Sequence, residues 1–294
     1  MNIRKWLDNN TATLENKTVA ITGSTGGLGR ETCKYLASLG ANLILLDRNA
    51  SLSNEHKEYL VSLNPKISVE CINIDLQDID SVIDATEILK EREIDVFVHN
   101  AGAYSIPRHK CKNGYDNVFQ INFISPYYII KELLPQLSLR NGKVVAVGSI
   151  AHNYSRVDKN DVDFSQRKAS SKVYGNAKRY LMFSLYELFC SQKDVSLSVT
   201  HPGITFTNIT AHYPKLIFAI IKHPMKVIFM PPRKAALCII KGVFDACGYS
   251  EWIGPRVFDV WGLPLKRRLK TCKKDESAFI SQFAEETYKQ MKRC

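Results

Sequence analysis

Tyr174 and Lys178 stand four residues apart in V-Y-G-N-A-K, the spacing that places two side chains on one face of a helix. A tyrosine hydroxyl, with a pKa of about 10, is a poor acid or base at neutral pH. A lysine cation beside it stabilises the phenolate and lowers that pKa, so the pair can pass a proton to or from a reacting oxygen. Pairs at this spacing arise by chance in many helices, and alone this one reads as a surface pair. Two features change its weight. Ser149 ends the apolar run G-K-V-V-A-V-G-S just upstream, where its hydroxyl can reach the same crevice, and the chain also opens with a nucleotide-type turn.

That turn lies between Lys17 and Arg48. A β-branched run, Thr18 to Thr22, enters the glycine-rich stretch Gly23 to Gly29. A helical pattern follows, with Leu28, Cys33, Leu36 and Leu39 on one face and Gly40 as its stop. A second apolar run, Leu43 to Leu46, ends at Asp47. Gly23 permits the tight turn, and the later glycines let backbone approach a pyrophosphate and let helix pack on strand. The helix N-terminus offers free N–H groups and its positive dipole end to phosphates. Asp47 falls where an acid meets the adenosine ribose hydroxyls. No Gly-Lys-Ser/Thr follows, which speaks against a phosphate-loop nucleotidase.

The 294 residues suffice for one large α/β domain. Strand-like and helical patterns alternate from Thr18 to His201, which predicts a Rossmann-type, doubly wound parallel sheet of about seven strands with helices on both faces, in a single domain spanning 1–294. Within it, 1–16 is expected as a polar lead-in arm or helix, 204–231 as an irregular apolar stretch, and 263–294 as a basic tail ending in a helix. The strands are predicted at Thr18–Thr22, Leu43–Leu46, Ile67–Asp75, Ile94–His99, Gly142–Ser149 and Val195–His201, with a short last one at Glu251–Ile253. Long helices are predicted over Tyr115–Leu137 and Ser171–Cys190.

Forty basic against 29 acidic residues give a formal net charge of +11, and residues 263–294 contribute nine Lys/Arg against four Asp/Glu. This excess reads first as a solvated C-terminal face; no basic strip interleaved with aromatics suggests nucleic-acid binding. Eight cysteines are scattered without a C-x-x-C pair, which fits reduced thiols and predicts neither a disulfide framework nor a metal site. The first residues lack an apolar signal core and no apolar run is long enough to span a bilayer, so a cytoplasmic protein is expected.

In open α/β sheets ligands bind beyond the C-terminal strand ends. Those ends carry Gly23–Gly29, Asp47, Asp75, Asn100–Gly102, Ser149 and Pro202–Gly203. With these residues assembled, the chain resembles the short-chain dehydrogenase/reductase family over most of its length. The T-G-x-x-x-G-x-G turn is Thr22 to Gly29, Asn100-Ala101-Gly102 is the N-A-G motif, and Ser149, Tyr174 and Lys178 match the catalytic serine and the Y-x-x-x-K pair. Asp75-Leu76 matches the adenine-contacting segment after the third strand, Asn122 the asparagine of the proton relay, and Pro202-Gly203 with Thr205 and Thr207 the segment that closes over the nicotinamide. G-S-I-A-H (148–152), D-V-D-F (161–164) and the ending W-I-G-P…G-L-P…D-E-S-A-F look most like the retinol dehydrogenase-like branch.

The resemblance implies reversible hydride transfer between a nicotinamide and an alcohol or carbonyl. Tyr174 would be the acid or base, Lys178 would hold the ribose and lower the Tyr174 pKa, Ser149 would bond the substrate oxygen, and Asn122 would support the relay. The cofactor-binding set it implies is Gly23, Ser24, Thr25, Gly27, Leu28, Gly29, Asp47, Arg48, Asp75, Leu76, Asn100, Ala101, Gly102, Tyr174, Lys178, Pro202, Gly203, Thr205 and Thr207. Four positions depart from the family pattern: Ala177 before Lys178, His99 before N-A-G, Gly148 before Ser149, and the pair Asp47-Arg48. His99 is expected to pack at a strand end. Asp47 favours NAD(H) by bonding the ribose and repelling a 2′-phosphate, whereas Arg48 would accept that phosphate and admit NADP(H). The expectation leans to NAD(H).

The resemblance implies a substrate lid over 204–231, and the richness of 206–232 in Phe, Ile, Leu, Val and Met then suggests a lipophilic or aromatic alcohol/carbonyl substrate beneath it, packing on the domain or a partner, or contact with a membrane surface beside Lys215, Lys222 and Lys226. Family members pair through the two long helices, so a homodimer or homotetramer is expected. Two readings of other classes stand beside the dehydrogenase. One is a nucleotide-binding regulatory or scaffold module, which would need only the turn and Asp47; the other is a nucleotide-sugar epimerase or dehydratase, which would need a larger C-terminal substrate domain.

Overall fold

The computed structural model describes residues 3–204 and 230–292. Most of the predicted lid, and with it Thr205 and Thr207, lies outside them. The described part opens with α1 (Ile3–Asn10), β1 (Thr18–Thr22), α2 (Gly27–Ser38), β2 (Asn42–Asp47), α3 (Ala50–Leu63), β3 (Val69–Asn73), α4 (Ile79–Lys90) and β4 (Val96–His99). A composite helix follows, made of α5 (Asn117–Phe119), a π-helical segment (Gln120–Ile124) and α6 (Ser125–Leu139). Then come β5 (Lys143–Val147), a 3-10 turn (Ile150–Tyr154), α7 (Ser170–Phe189), β6 (Ser196–Thr200), α8 (Pro232–Phe244), β7 (Glu251–Val257), β8 (Trp261–Arg268) and α9 (Lys274–Met291).

The sheet order is β3-β2-β1-β4-β5-β6-β7-β8. All pairs are parallel except β7–β8, an antiparallel hairpin. The strand order reverses between β1 and β4, and that crevice at the C-terminal strand ends is where the fold places ligands. The central strands are buried on both faces, as covered parallel strands require. One core lies between the sheet and the α4, α5–α6 and α7 layer. The other lies under α2 and α8 and includes Trp6 of α1, which docks the predicted polar arm.

Two elements differ from the sequence expectation. The sheet has eight strands, because the first six residues of the expected basic tail belong to β8. Its run W-G-L-P-L-K-R-R carries Gly, Pro and three cations, which depress strand propensity but are tolerated on an exposed edge strand. The helix predicted over Tyr115–Leu137 is interrupted by the π-helical segment at Asn122.

The C-terminal helix does more than end the chain. Ser277, Ile280, Ala284, Thr287 and Met291 form its buried stripe at alternating spacings of three and four. Phe283 joins a cluster with Tyr115, Phe119, Phe123 and Tyr180 at ring separations of 5.6–6.3 Å. Glu285 pairs with Lys131 and accepts from Tyr127, Glu276 pairs with Arg179, and Glu132 of α6 takes Tyr288 and Lys292. Thus α9 lies along α6 and α7, the two helices on which the expectation of pairing rested.

Candidate active site

The glycine turn is built by contacts that exclude side chains. Gly23 sits at φ +69°, and a Cβ there would lie 3.0 Å from the Ala101 backbone. At Gly29 a Cβ would stand 2.1 Å from the Gly23 carbonyl oxygen, so only glycine lets the first turn of α2 close on β1. Gly26 caps that helix without a side-chain hydrogen bond. The first-turn amides at Gly27, Leu28 and Gly29 therefore face no capping group of their own, the arrangement an anionic phosphate suits.

Asn100 locks the turn from β4. Its Nδ2 donates to the carbonyls of Thr22 (3.1 Å) and Gly23 (3.0 Å), and the amides of Asn100 and Ala101 both donate to Thr22 Oγ1. Asn100 therefore acts first as a bracket between the two sequence motifs. With two N–H groups already on Thr22 Oγ1, its hydroxyl proton goes to His99 Nδ1, 3.2 Å away. His99 is fully buried at its strand end, as expected, and burial with the nearby Lys178 charge holds its pKa well below the ordinary value.

Beyond this turn the catalytic candidates converge. A Cβ on Gly102 would stand 2.8 Å from Asn122 Oδ1 and 3.5 Å from Lys178 Nζ, so the bare glycine leaves an open notch between the two. Asn122 Nδ2 donates to Ala103 O (2.9 Å) and Val118 O (2.8 Å), and its Oδ1 accepts from Ala103 N. The π-helical register aims it at the N-A-G loop, a use such segments often serve. Lys178, buried in α7, donates to Val147 O at 2.9 Å and lies 5.7 Å from the centre of the Tyr174 ring. Tyr104 packs edge-on against Tyr174, with centroids 5.4 Å apart. Ser149 lies beside the Tyr174 hydroxyl, where it opposes the rise in its pKa, and caps the 3-10 turn through Ala151 N.

Burial pushes the Tyr174 hydroxyl up to about 12, with Ser149 opposing the rise, and pulls the Lys178 ammonium down to about 7. Desolvation penalises the charged forms of both groups and sets the direction of each shift. A proton is thus held on Tyr174 at neutral pH.

The adenosine end looks different from expectation. Asp47 is 4% exposed, and its oxygens accept from Ser24 Oγ (2.5 Å), Ser53 Oγ (3.1 Å), Thr25 N (3.1 Å) and Thr25 Oγ1 (3.0 Å). Ser24 and Thr25 turn to Asp47, while Arg48 is exposed. Asp75 caps its own turn through Gln77 N, and the buried Leu76 gives its carbonyl to Ser125. Gly203, at φ +80°, packs against Val260 of the β7–β8 hairpin, where a Cβ would stand 2.6 Å from its carbonyl oxygen. Pro202-Gly203 is thereby held beside the sheet ends. Among the described residues no acidic, His or Cys cluster could hold a metal, and no helix is long and apolar enough to cross a membrane.

Sequence reasoning left out four residues that frame the site. Tyr104 packs on Tyr174, Gly175 lies under the Ser149 turn, and His152 and Arg179 grip that turn from the side. Only His152 had a signal, three residues after Ser149 in G-S-I-A-H.

The comparisons speak to the family and the fold. The chain is 28% identical over 212 residues to short-chain dehydrogenase TIC 32 A, chloroplastic, of Brassica napus, covering 66% of each chain. It is 27% identical over 209 residues to retinol dehydrogenase 13 of Mus musculus, covering 68% of this chain and 62% of that one. It therefore matches about two thirds of the length of these relatives. A solved protein from Mycobacterium Paratuberculosis superposes with a TM-score of 0.75 over 96% of each chain at 24% identity, which speaks to the fold. Residues 17–215 match the family model described as short chain dehydrogenase, and the chain belongs to that family of NAD(P)-dependent oxidoreductases.

Proposed function

We propose that this chain interconverts an alcohol and its carbonyl compound, with Tyr174 as the proton donor or acceptor at the substrate oxygen. The observation that carries the reading is that Asn122 and Lys178 flank the Gly102 notch, with the Tyr174 ring 5.7 Å from Lys178 Nζ and Ser149 beside the Tyr174 hydroxyl. The residues present fit a nicotinamide nucleotide. The uncapped start of α2 suits the pyrophosphate, and the Gly102 notch under Lys178 suits a ribose. When bound, the nicotinamide supplies or takes up the hydride. Ser149 orients the substrate oxygen, Tyr174 gives it a proton in reduction, and Lys178 and Asn122 lie behind Tyr174 for its resupply. A module that only bound nucleotide would have no use for these four groups.

A lipophilic substrate is supported by the apolar composition of 206–232 and by the similarity to a retinol dehydrogenase. The test is a panel of aldehydes, ketones and alcohols, followed by the absorbance of reduced nicotinamide, with NAD(H) and NADP(H) run separately. Turnover of apolar carbonyls is expected. Nucleotide binding with no turnover across the panel would favour the module, and sugar conversion without net nicotinamide change the epimerase.

The geometry of Asp47 supports NADP(H) over NAD(H). An ionised carboxylate has about four lone-pair positions, and protein donors fill them here. Its neighbour Arg48 is exposed and suited to a 2′-phosphate. NADP(H) is therefore the expected cofactor. Arg48→Ala should raise the NADP(H) KM by roughly 10- to 100-fold, the loss of a charge-assisted hydrogen bond, and leave the NAD(H) KM near its original value. Equal effects on both would remove the argument.

The docking of α9 on α6 and α7 favours a monomer over the expected dimer or tetramer. Light scattering should return a monomer mass. A stable dimer at micromolar concentration would show that another face pairs the chains.

A further inference from the structure

We propose that His152 is a positioning residue, holding the turn that presents Ser149 and tying that turn to the C-terminal segment of the chain. The proposal rests on the reading that Ser149 and Tyr174 act on a carbonyl oxygen.

The His152 ring is fully buried. Its Nδ1 lies 2.6 Å from the Ser149 carbonyl oxygen and its Nε2 lies 2.7 Å from Thr271 Oγ1. A carbonyl only accepts, so Nδ1 carries the hydrogen and Nε2 accepts from the threonine. One tautomer satisfies both contacts. Burial pulls the pKa down to about 4, so the neutral ring persists at physiological pH. Trp252 and Phe183 meet the ring edge-on at 5.6 and 6.1 Å and fix its plane.

The turn is gripped from its other side by α7. A Cβ on Gly175, the neighbour of Tyr174, would stand 2.2 Å from Ala151 O, so the helix lies flush against the 3-10 turn. One turn later Arg179 donates to His152 O at 3.1 Å and pairs with Glu276 of α9. Glu276 also accepts from Val157 N at 3.2 Å. Residues 149–157 are thus clamped between the helix that carries Tyr174 and the segment that carries Thr271 and Glu276. The Ser149 hydroxyl has to stay within reach of Tyr174 and of a substrate oxygen, and an ångström of drift is enough to cost roughly 100-fold in rate.

The experiment compares His152→Leu, His152→Asn and Thr271→Val with the unmodified protein. Each is assayed for kcat, nucleotide KM and thermal midpoint, and the His152 tautomer is read by nitrogen-15 NMR. Asn carries an N–H donor near the position of Nδ1 and so keeps the bond to Ser149 O. The leucine variant should lose roughly 10- to 100-fold in kcat with nucleotide KM unchanged, and the asparagine variant should recover most of that loss. Thr271→Val leaves the ring in place and should give a smaller fall in kcat with little change in midpoint, which covers a leucine variant that does not fold. Leucine turnover equal to the unmodified protein, or equal losses in the leucine and asparagine variants, would overturn the proposal. An Nε2-protonated ring in the unmodified protein would overturn it without reference to turnover. Absence of any turnover in the unmodified protein would instead count against the proposed reaction, and the tautomer would still decide the coupling.

Discussion

Tyr174→Phe is expected to lower turnover by roughly 10²- to 10⁴-fold, the usual contribution of a positioned acid or base, with nucleotide affinity close to that of the unmodified protein. The substitution removes one oxygen. The ring keeps its edge contact with Tyr104 and its place beside Lys178, and the glycine turn, bracketed by Asn100, is untouched. Only the hydroxyl beside Ser149 is lost. The direction of reaction sharpens the test. With burial holding Tyr174 up to about 12, the hydroxyl is protonated at neutral pH and ready to act as an acid. Carbonyl reduction should therefore run without a rising pH dependence between 6 and 9, whereas alcohol oxidation, which needs the deprotonated form, should speed up as pH rises. Steady-state rates in both directions, with nucleotide binding followed by fluorescence, decide the matter. A phenylalanine variant that turns over like the unmodified protein would remove Tyr174 from the chemistry.

Much of this site was legible because its motifs demand particular backbone. A glycine at φ +69° and another whose Cβ would strike a carbonyl oxygen leave no other residue type available. The strand ends were marked by the switch from apolar to small or polar residues. Direction of side chains was not legible. Asp47 stands at the position a ribose acid takes, yet whether its oxygens face a ligand or Ser24, Thr25 and Ser53 depends on how α3 brings Ser53 back to β2. The π-helical register at Asn122 was hidden for a similar reason. One wide turn barely alters an apolar pattern already buried on most sides. His152 was seen as part of a motif, but its role needs Thr271, 119 residues away. β8 was missed because an edge strand tolerates the Pro and Lys that argue against strands elsewhere.

Acid should destabilise this protein well before its carboxylates begin to titrate. His56, His99, His152 and His201 are all buried. Burial holds His56 and His152 at about 4, His201 at about 3, and His99 well below its ordinary 6.5. Between about pH 6.5 and 4 the unfolded chain therefore binds more protons than the native one. The histidine contribution to stability is complete above 6.5 and is lost as pH falls through this window. The salt-bridged carboxylates Glu132, Glu276, Glu285 and Asp95 have depressed values, so their contribution is present above the unfolded values of 4.5 and 3.8 and lost only below them. The loss between pH 6.5 and 5 thus belongs to the histidines. Each pH unit is worth about 1.4 kcal/mol per group, and four groups make a loss of several kcal/mol by pH 5, comparable with the whole margin of a typical fold. Urea unfolding at pH 7.5, 6 and 5 should show a steep fall in ΔG, and His201→Gln should flatten it. His201 is the informative choice: its Nε2 donates to Asp259 O at 3.0 Å, and its Nδ1 has no partner among the described residues. A second proton on Nδ1 would find no acceptor, and the charged ring would stay buried, stacked 5.2 Å from the Trp252 ring. Stability independent of pH from 7.5 to 5 would mean that the native fold admits water to these rings.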